Sequence, residues 1–294
     1  MIAKMSIKDI LFLYKFRVWT LLIFTGIFSY LIATKAGYEF NLSILIILFL
    51  AASLSIWGNG ALNNYLEVET DRIMKRTSNR PLVKNTISKE FALISGILFI
   101  SLGIILALIF INILTAFFIF LASIIYYFYS AYLKRRTSLN VLIGGFAGNC
   151  TAWGGWAAAA GSLNLFAFLL GMLIYFWTNP HFWALALRYR DDYKRANLPM
   201  LTAVKDEKTS ARIIAISSLP LPLTTALLAF IGNLSFYFII FSLALNVVFI
   251  SLAIWLYLRP ADKNAWVLFK FSSPFLAIIF ILIYIDPSEI SFRI

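Results

Sequence analysis

Residues 43–85 read SILIILFLAASLSIWGNGALNNYLEVETDRIMKRTSNRPLVKN, and they decide where the chain must reside. Positions 43–62 carry no charged side chain, and carboxylates and bases then crowd the next two dozen positions. An uncharged apolar run of about 20 residues is what a helix needs to cross the hydrocarbon core of a bilayer. The stretch is therefore a membrane span that emerges through a charged exit.

The rest of the chain repeats this pattern. Of 294 residues, 62% are hydrophobic and only 13% charged, where an ordinary soluble domain has about 25% charged. So little polar surface cannot cover a water-soluble globule. Spans are predicted near 17–35, 43–65, 91–110, 112–132, 140–160, 164–187, 210–231, 234–258 and 266–285. The expected fold is an all-α membrane protein of nine transmembrane helices, a single polytopic domain over 1–294 with no room for a soluble domain. The opening MIAKMSIKDILFLYKFRVW lacks a small-residue cleavage site and reads as a first span, not a removed signal. No Gly/Ser-rich linker or internal repeat divides the chain. One Cys, Cys150, and one His, His181, exclude an intrachain disulfide, a Cys/His zinc cluster and haem c attachment.

Charge sets the expected orientation. Of the 25 Lys and Arg residues, all but Lys35 and Arg293 fall on one side of the nine-span reading. By the positive-inside rule the amino terminus and the basic loops face the cytoplasm and the carboxyl terminus faces out, in a multi-pass protein of the plasma membrane. Topology, with attraction to anionic membrane lipid or substrate, accounts for the net charge of +12 without nucleic acid.

Two basic-side loops carry the chemistry. If the second span continues as a helix through its charged exit, Asn63, Glu67 and Asp71 share one face, with Asn64 beside them. Such a ladder of hard oxygen ligands suits Mg²⁺, which takes one or two carboxylates together with substrate phosphates. Glu69 points away. Arg72, Lys75, Arg76 and Arg80 follow, and acids beside bases are what a metal-bridged polyphosphate requires. Solvated ion pairs at a helix exit are the bland alternative, yet intramembrane polar groups such as Asn63 and Glu67 are expensive and usually face a cavity.

The second loop follows FWTNPHFWALALRYRDDYKRANLPML, residues 176–201. On a continuous helix His181, Arg188 and Asp192 form one stripe about 16 Å long. Pro180 should loosen the helix before His181. His181 suits an interhelical hydrogen bond, a haem-iron contact or proton transfer. Asp191 points aside toward Arg195 or Lys194. Lys134, Arg135 and Arg136 form a third basic stop. Gly144, Gly145, Gly148, Gly154, Gly155 and Gly161 permit close helix packing, the default, or approach of a flat ligand.

NNYLEVETD resembles the NDxxDxxxD metal-diphosphate signature of the UbiA superfamily of intramembrane prenyltransferases, with Asn63, Asn64, Glu67 and Asp71 at the matching positions. DRIMKRTSNRPL, HFWALALRYRDDYKRANLPML, KFRV, YLKRRT, SLNVLIGGFAGN and GGWAAAAGSL are similar to its haem-prenylating branch. Quinone-precursor members resemble DxxxD at the second site, where Arg188 and Asp192 stand here. Glu67 in place of Asp, Phe16 within KFRV, and Asn179 and Thr202 in place of prolines depart from the pattern.

The resemblance implies a UbiA-type bundle around a central cavity opening to the cytoplasmic side. It implies transfer of a farnesyl-type group from a prenyl diphosphate to a vinyl group of protoheme IX with addition of water, giving heme O and pyrophosphate. Catalytic Asn63, Asn64, Glu67, Asp71 and Asp192 would include the Mg²⁺ ligands Asn63, Glu67, Asp71 and Asp192. Arg76, Arg80, Lys134 and Arg188 would grip the diphosphate, and His181 would contact haem. Proteins of terminal oxidase assembly or heme A synthesis are the implied partners. The alternatives are a UbiA-type enzyme acting on a quinone precursor or lipid, a membrane transporter, and a haem-binding assembly subunit.

Overall fold

The structure, a computed structural model, describes residues 6–292. Lys4 and Arg293, which enter the charge reading, lie outside the described residues. Among these residues the chain is helical without a strand. A short α1 (Ile7–Leu13) leads into α2 (Phe16–Lys35), α3 (Leu42–Ile73), α4 (Lys89–Phe110) and α5 (Ile113–Phe128). A π-helical turn, Tyr129–Leu133, joins α5 to α6 (Lys134–Arg136), and α7 (Asn140–Gly144) and α8 (Phe146–Ala160) follow. The second half holds α9 (Leu165–Arg188), α10 (Arg190–Arg195), α11 (Leu201–Val204), α12 (Glu207–Ser218), α13 (Pro220–Ile231), α14 (Phe236–Leu258) and α15 (Asp262–Ile285).

The helices begin where polar caps stand. Asn41, Ser88, Asn112, Asn164 and Asp206 each accept a first-turn backbone N–H, as between Thr115 and Asn112 at 2.8 Å. These short side chains satisfy amides that have no partner within the helix. Eight helical stretches are long and apolar enough to cross a membrane. The expected ninth, 140–160, is the pair α7 and α8, interrupted at Gly145, with α8 packed against α2, α5 and α9. Outward-facing Ile113 and Phe236 remain 76% and 70% exposed, as suits a surface facing lipid.

Close packing claims the glycines. A Cβ at Gly155 would stand 2.0 Å from the Gly26 carbonyl oxygen, so α2 and α8 touch backbone to backbone. A narrow cavity between α2, α3, α5 and α8 is lined by Gly26, Ser55, Phe118, Cys150 and Thr151.

The two ends of the bundle differ. At one, the Lys35 ammonium donates to the Tyr284 carbonyl at 2.9 Å and to the Asp286 carbonyl, while Tyr30 Oη donates to the Asn41 carbonyl at 2.9 Å. The other gathers Lys15, the exit of α3, the end of α5 and the turn after α9. The side-chain contacts thus reproduce the one-sided grouping that charge alone suggests.

Candidate active site

The second span does continue as a helix. At 32 residues α3 is about 48 Å long, well beyond a hydrocarbon core of about 30 Å. Asn63, Glu67 and Asp71 consequently share a face, only 2%, 3% and 2% exposed. Buried carboxylates need partners, because an unpaired charge away from water is very costly. Lys134 Nζ lies 2.8 Å from Glu67 Oε1. Arg80 Nη1 lies 2.5 Å from Asp71 Oδ2 and 3.5 Å from Glu67 Oε2. Glu69, by contrast, answers Arg72 and Lys89 on the outer face.

Local structure delivers these cations. The π-helical turn precedes Lys134, and such turns recur at functional sites. After α3 the chain turns through backbone bonds from Thr77 and Ser78 to the Met74 carbonyl, bringing Arg80 back over the ladder. Burial alone would lower the Arg80 pKa, but Asp71 and Glu67 hold it above its usual value.

A third cation, Lys15, was not singled out by sequence reasoning. It donates to Asn63 Oδ1 and, at 2.9 Å, to Tyr126 Oη. Loss of hydration, with Arg80 as a neighbour, pushes its ammonium down to about 7 against the pull of Glu67. The Asn63 amide in turn donates to Glu67 Oε1 and to Ser130 Oγ, both at 2.8 Å. Lys15 sits in the left-handed region, φ 51°, at the corner between α1 and α2. Its only sequence signal is its place in KFRV. Asn64 holds that corner by donating to the Leu13 carbonyl at 2.9 Å, and its own Oδ1 remains buried without a partner.

The second loop departs from expectation. Helix α9 stops at Arg188, because Tyr189 adopts φ −110° and ψ 28° and redirects the chain into α10. His181, Arg188 and Asp192 therefore do not form one continuous stripe. Asp192, 5% exposed, instead accepts the Arg76 backbone N–H at 3.0 Å and pairs with Arg195, which leaves Asp191. The Arg76 guanidinium stands 5.3 Å over the Tyr189 ring. Arg188 lies apart, 3.2 Å from Asp262 at the surface.

Asp192 thus meets the first loop five residues beyond Asp71, though each carboxylate keeps its own arginine. Among the described residues, no three His, Cys, Asp or Glu side chains surround one point. The chemistry of the donors nevertheless fits Mg²⁺: the amide oxygens of Asn63 and Asn64 and the carboxylates of Glu67, Asp71 and Asp192 are all hard oxygen ligands.

An aromatic wall links this cluster to α9. Tyr126 stacks on Tyr129 at 6.0 Å, and Tyr129 meets the edge of Phe182 at 6.4 Å. Next to Phe182, half-buried His181 lies between Trp177 at 4.2 Å and Phe269 at 4.6 Å, with Nδ1 2.5 Å from Ser272 Oγ. The expected interhelical hydrogen bond is therefore present, between α9 and α15.

A membrane bundle with buried acids and bases converging at one end defines a class of enzyme, and the chain belongs to the UbiA prenyltransferase family, which it matches over residues 21–279. It is a multi-pass membrane prenyltransferase. Among its relatives, the protoheme IX farnesyltransferase of Sulfolobus acidocaldarius is 43% identical over 275 residues, 93% of this chain and 94% of that one. A digeranylgeranylglyceryl phosphate synthase structure has a TM-score of 0.78 at 18% identity, covering 95% of this chain and 97% of its own. A UbiA homologue from Archaeoglobus fulgidus bound to DMAPP and Mg²⁺ has a TM-score of 0.67 at 17% identity, covering 94% and 99%. At such identities the likeness is one of fold.

Proposed function

We propose that the chain transfers a farnesyl-type group from a prenyl diphosphate to a vinyl group of protoheme IX, with addition of water, to give heme O and pyrophosphate. The observation that carries this reading is the ladder of Asn63, Glu67 and Asp71, buried at the polar end of an apolar bundle and faced by Lys15, Arg80 and Lys134. The relative of known name, alike over nearly the whole chain, supports the haem acceptor.

Asn63, Glu67, Asp71 and Asp192 would hold Mg²⁺, with Asn64 beside them. When bound, the ion supplies Lewis acidity toward phosphate oxygens. Lys15, Arg80, Lys134 and the Arg76 guanidinium bind the diphosphate and stabilise negative charge as it leaves. Each well-placed contact of this kind is worth about 3 kcal/mol of barrier. Arg188, paired with Asp262 at the surface, serves entry to the site rather than its interior.

The donor carbon–oxygen bond breaks with both electrons leaving on pyrophosphate. The vinyl π electrons attack the allylic cation, water captures the resulting porphyrin-side cation, and a proton is lost. The rings of Tyr126, Tyr129 and Phe182 wall the path between donor and acceptor and keep premature water from the cation. His181 contacts the haem. The polar end faces the cytoplasm and the carboxyl terminus faces outward, in the plasma membrane, where terminal oxidase assembly or heme A synthesis proteins would take up the product.

The test is incubation of the purified protein with protoheme, Mg²⁺ and donors of different lengths. The porphyrin should gain the mass of one prenyl unit plus water. A quinone precursor consumed in place of haem would overturn the acceptor assignment.

A further inference from the structure

The hydrogen bonds around His181 settle which ring nitrogen carries its proton. Ser272 Oγ has one proton, and it donates that proton to the Phe269 carbonyl at 2.7 Å, within its own helix. Toward His181 Nδ1, 2.5 Å away, Ser272 Oγ is then an acceptor, so Nδ1 bears the hydrogen. In a neutral imidazole Nε2 must consequently present a lone pair. Among the described residues Nε2 makes no hydrogen bond, and it is not one of the sealed-off buried polar atoms, because the half-buried ring keeps an open edge.

The surroundings narrow the use of that lone pair. Trp177 and Phe269 cover the two faces of the imidazole, and Trp266 continues the stack 5.1 Å beyond Phe269. Trp177 is itself fixed, its Nε1 donating to the Ser272 carbonyl at 2.6 Å. Stacked faces leave coordination unhindered, since a metal bonds in the plane of the ring. Proton transfer is poorly served, because the one polar partner of the ring has already committed its hydrogen to a carbonyl. A ligating histidine characteristically gives its other N–H to a fixed acceptor, which sets the tautomer and raises basicity.

We propose that His181 Nε2 is an axial ligand to the iron of the haem acceptor, and that Ser272 is the positioning residue that presents it. The inference rests on the haem reading above and adds the iron ligand and its support. Ligation through α9 would hold the macrocycle beside Phe182, where the aromatic wall from the donor site ends.

The experiment titrates ferric protoheme, and separately metal-free protoporphyrin IX, into the full chain in lipid nanodiscs, read by absorption and electron paramagnetic resonance. Wild type should give a histidine-ligated haem spectrum. His181→Ala should lose that signature while binding metal-free porphyrin as wild type does. Ser272→Ala should keep the signature with iron-porphyrin affinity reduced about tenfold. Added imidazole should restore the spectrum in His181→Gly. A His181→Ala protein with the wild-type haem spectrum and affinity would overturn the ligand assignment, as would absence of rescue in a His181→Gly protein that still binds metal-free porphyrin. If wild type prenylates haem in either case, the acceptor reading survives and only the ligand falls; if wild type binds neither porphyrin, both fall together.

Discussion

The two acidic segments of the active end are built in opposite ways. The first is a single uninterrupted helix, so Asn63, Glu67 and Asp71 are aligned by covalent geometry and cations are brought to them from α5–α6, the following turn and the amino-terminal corner. The second is broken at Tyr189, and Asp192 is located by a bond to the Arg76 backbone 116 positions away. A helix transmits register by itself; a turn must be held by whatever it touches. The ladder should therefore suffer when its charges change, and the second loop when its contacts do.

Asp71→Asn is the sharpest break. It keeps the shape, removes an oxygen ligand and leaves Arg80 with a weaker partner. Pyrophosphate release should fall about a thousandfold, roughly 4 kcal/mol of barrier, while the protein still inserts in the membrane. Near-normal turnover would show that the ladder is only an ion-pair exit. Chelation of divalent ions should abolish the same signal in wild type and be reversed by Mg²⁺.

Next in size is Lys15→Met, which removes one cation and unpins Asn63. The donor KM should rise about a hundredfold with acceptor KM unchanged, and Lys15→Arg should recover part of the loss. A drop in thermal stability alone, with donor KM intact, would reassign Lys15 to structure.

Asp192→Ala should lower kcat about thirtyfold by freeing the Arg76 amide and the turn that it anchors. Asp192→Asn, which still accepts that N–H, should recover several-fold. Equal effects from both variants would mean that charge matters more than placement. The smallest effect belongs to Arg188→Ala, whose exposed pair with Asp262 is worth little. Turnover within about threefold of wild type is expected, and a larger loss would move Arg188 inside the site.

The same contrast explains what could be read without coordinates. Apolar run lengths locate the spans because the bilayer imposes them, and the ladder follows from four-residue spacing once α3 persists through Ile73. The break at Tyr189 has no Pro or Gly to announce it; it shows only in backbone angles and in the distant contact to Arg76. Lys15 was hidden for another reason. Basic residues near membrane boundaries are expected from topology, so one that turns inward at a left-handed corner looks like its neighbours. Ser272, in an apolar helix 91 positions from His181, carries no local mark at all.

The π-helical turn of Tyr129–Leu133 makes the basic side of the catalytic chamber intolerant of single-residue indels. Its wider winding absorbs one residue more than an α-helical path of the same length would hold. Deleting any one of those five positions would rewind the segment and swing everything after it by about 100°. The ammonium that now neutralises Glu67 would then face elsewhere, stranding a carboxylate in a dry interior. Sequence drift among functional enzymes of this architecture should therefore favour exchanges of side chain over changes of length at this bend.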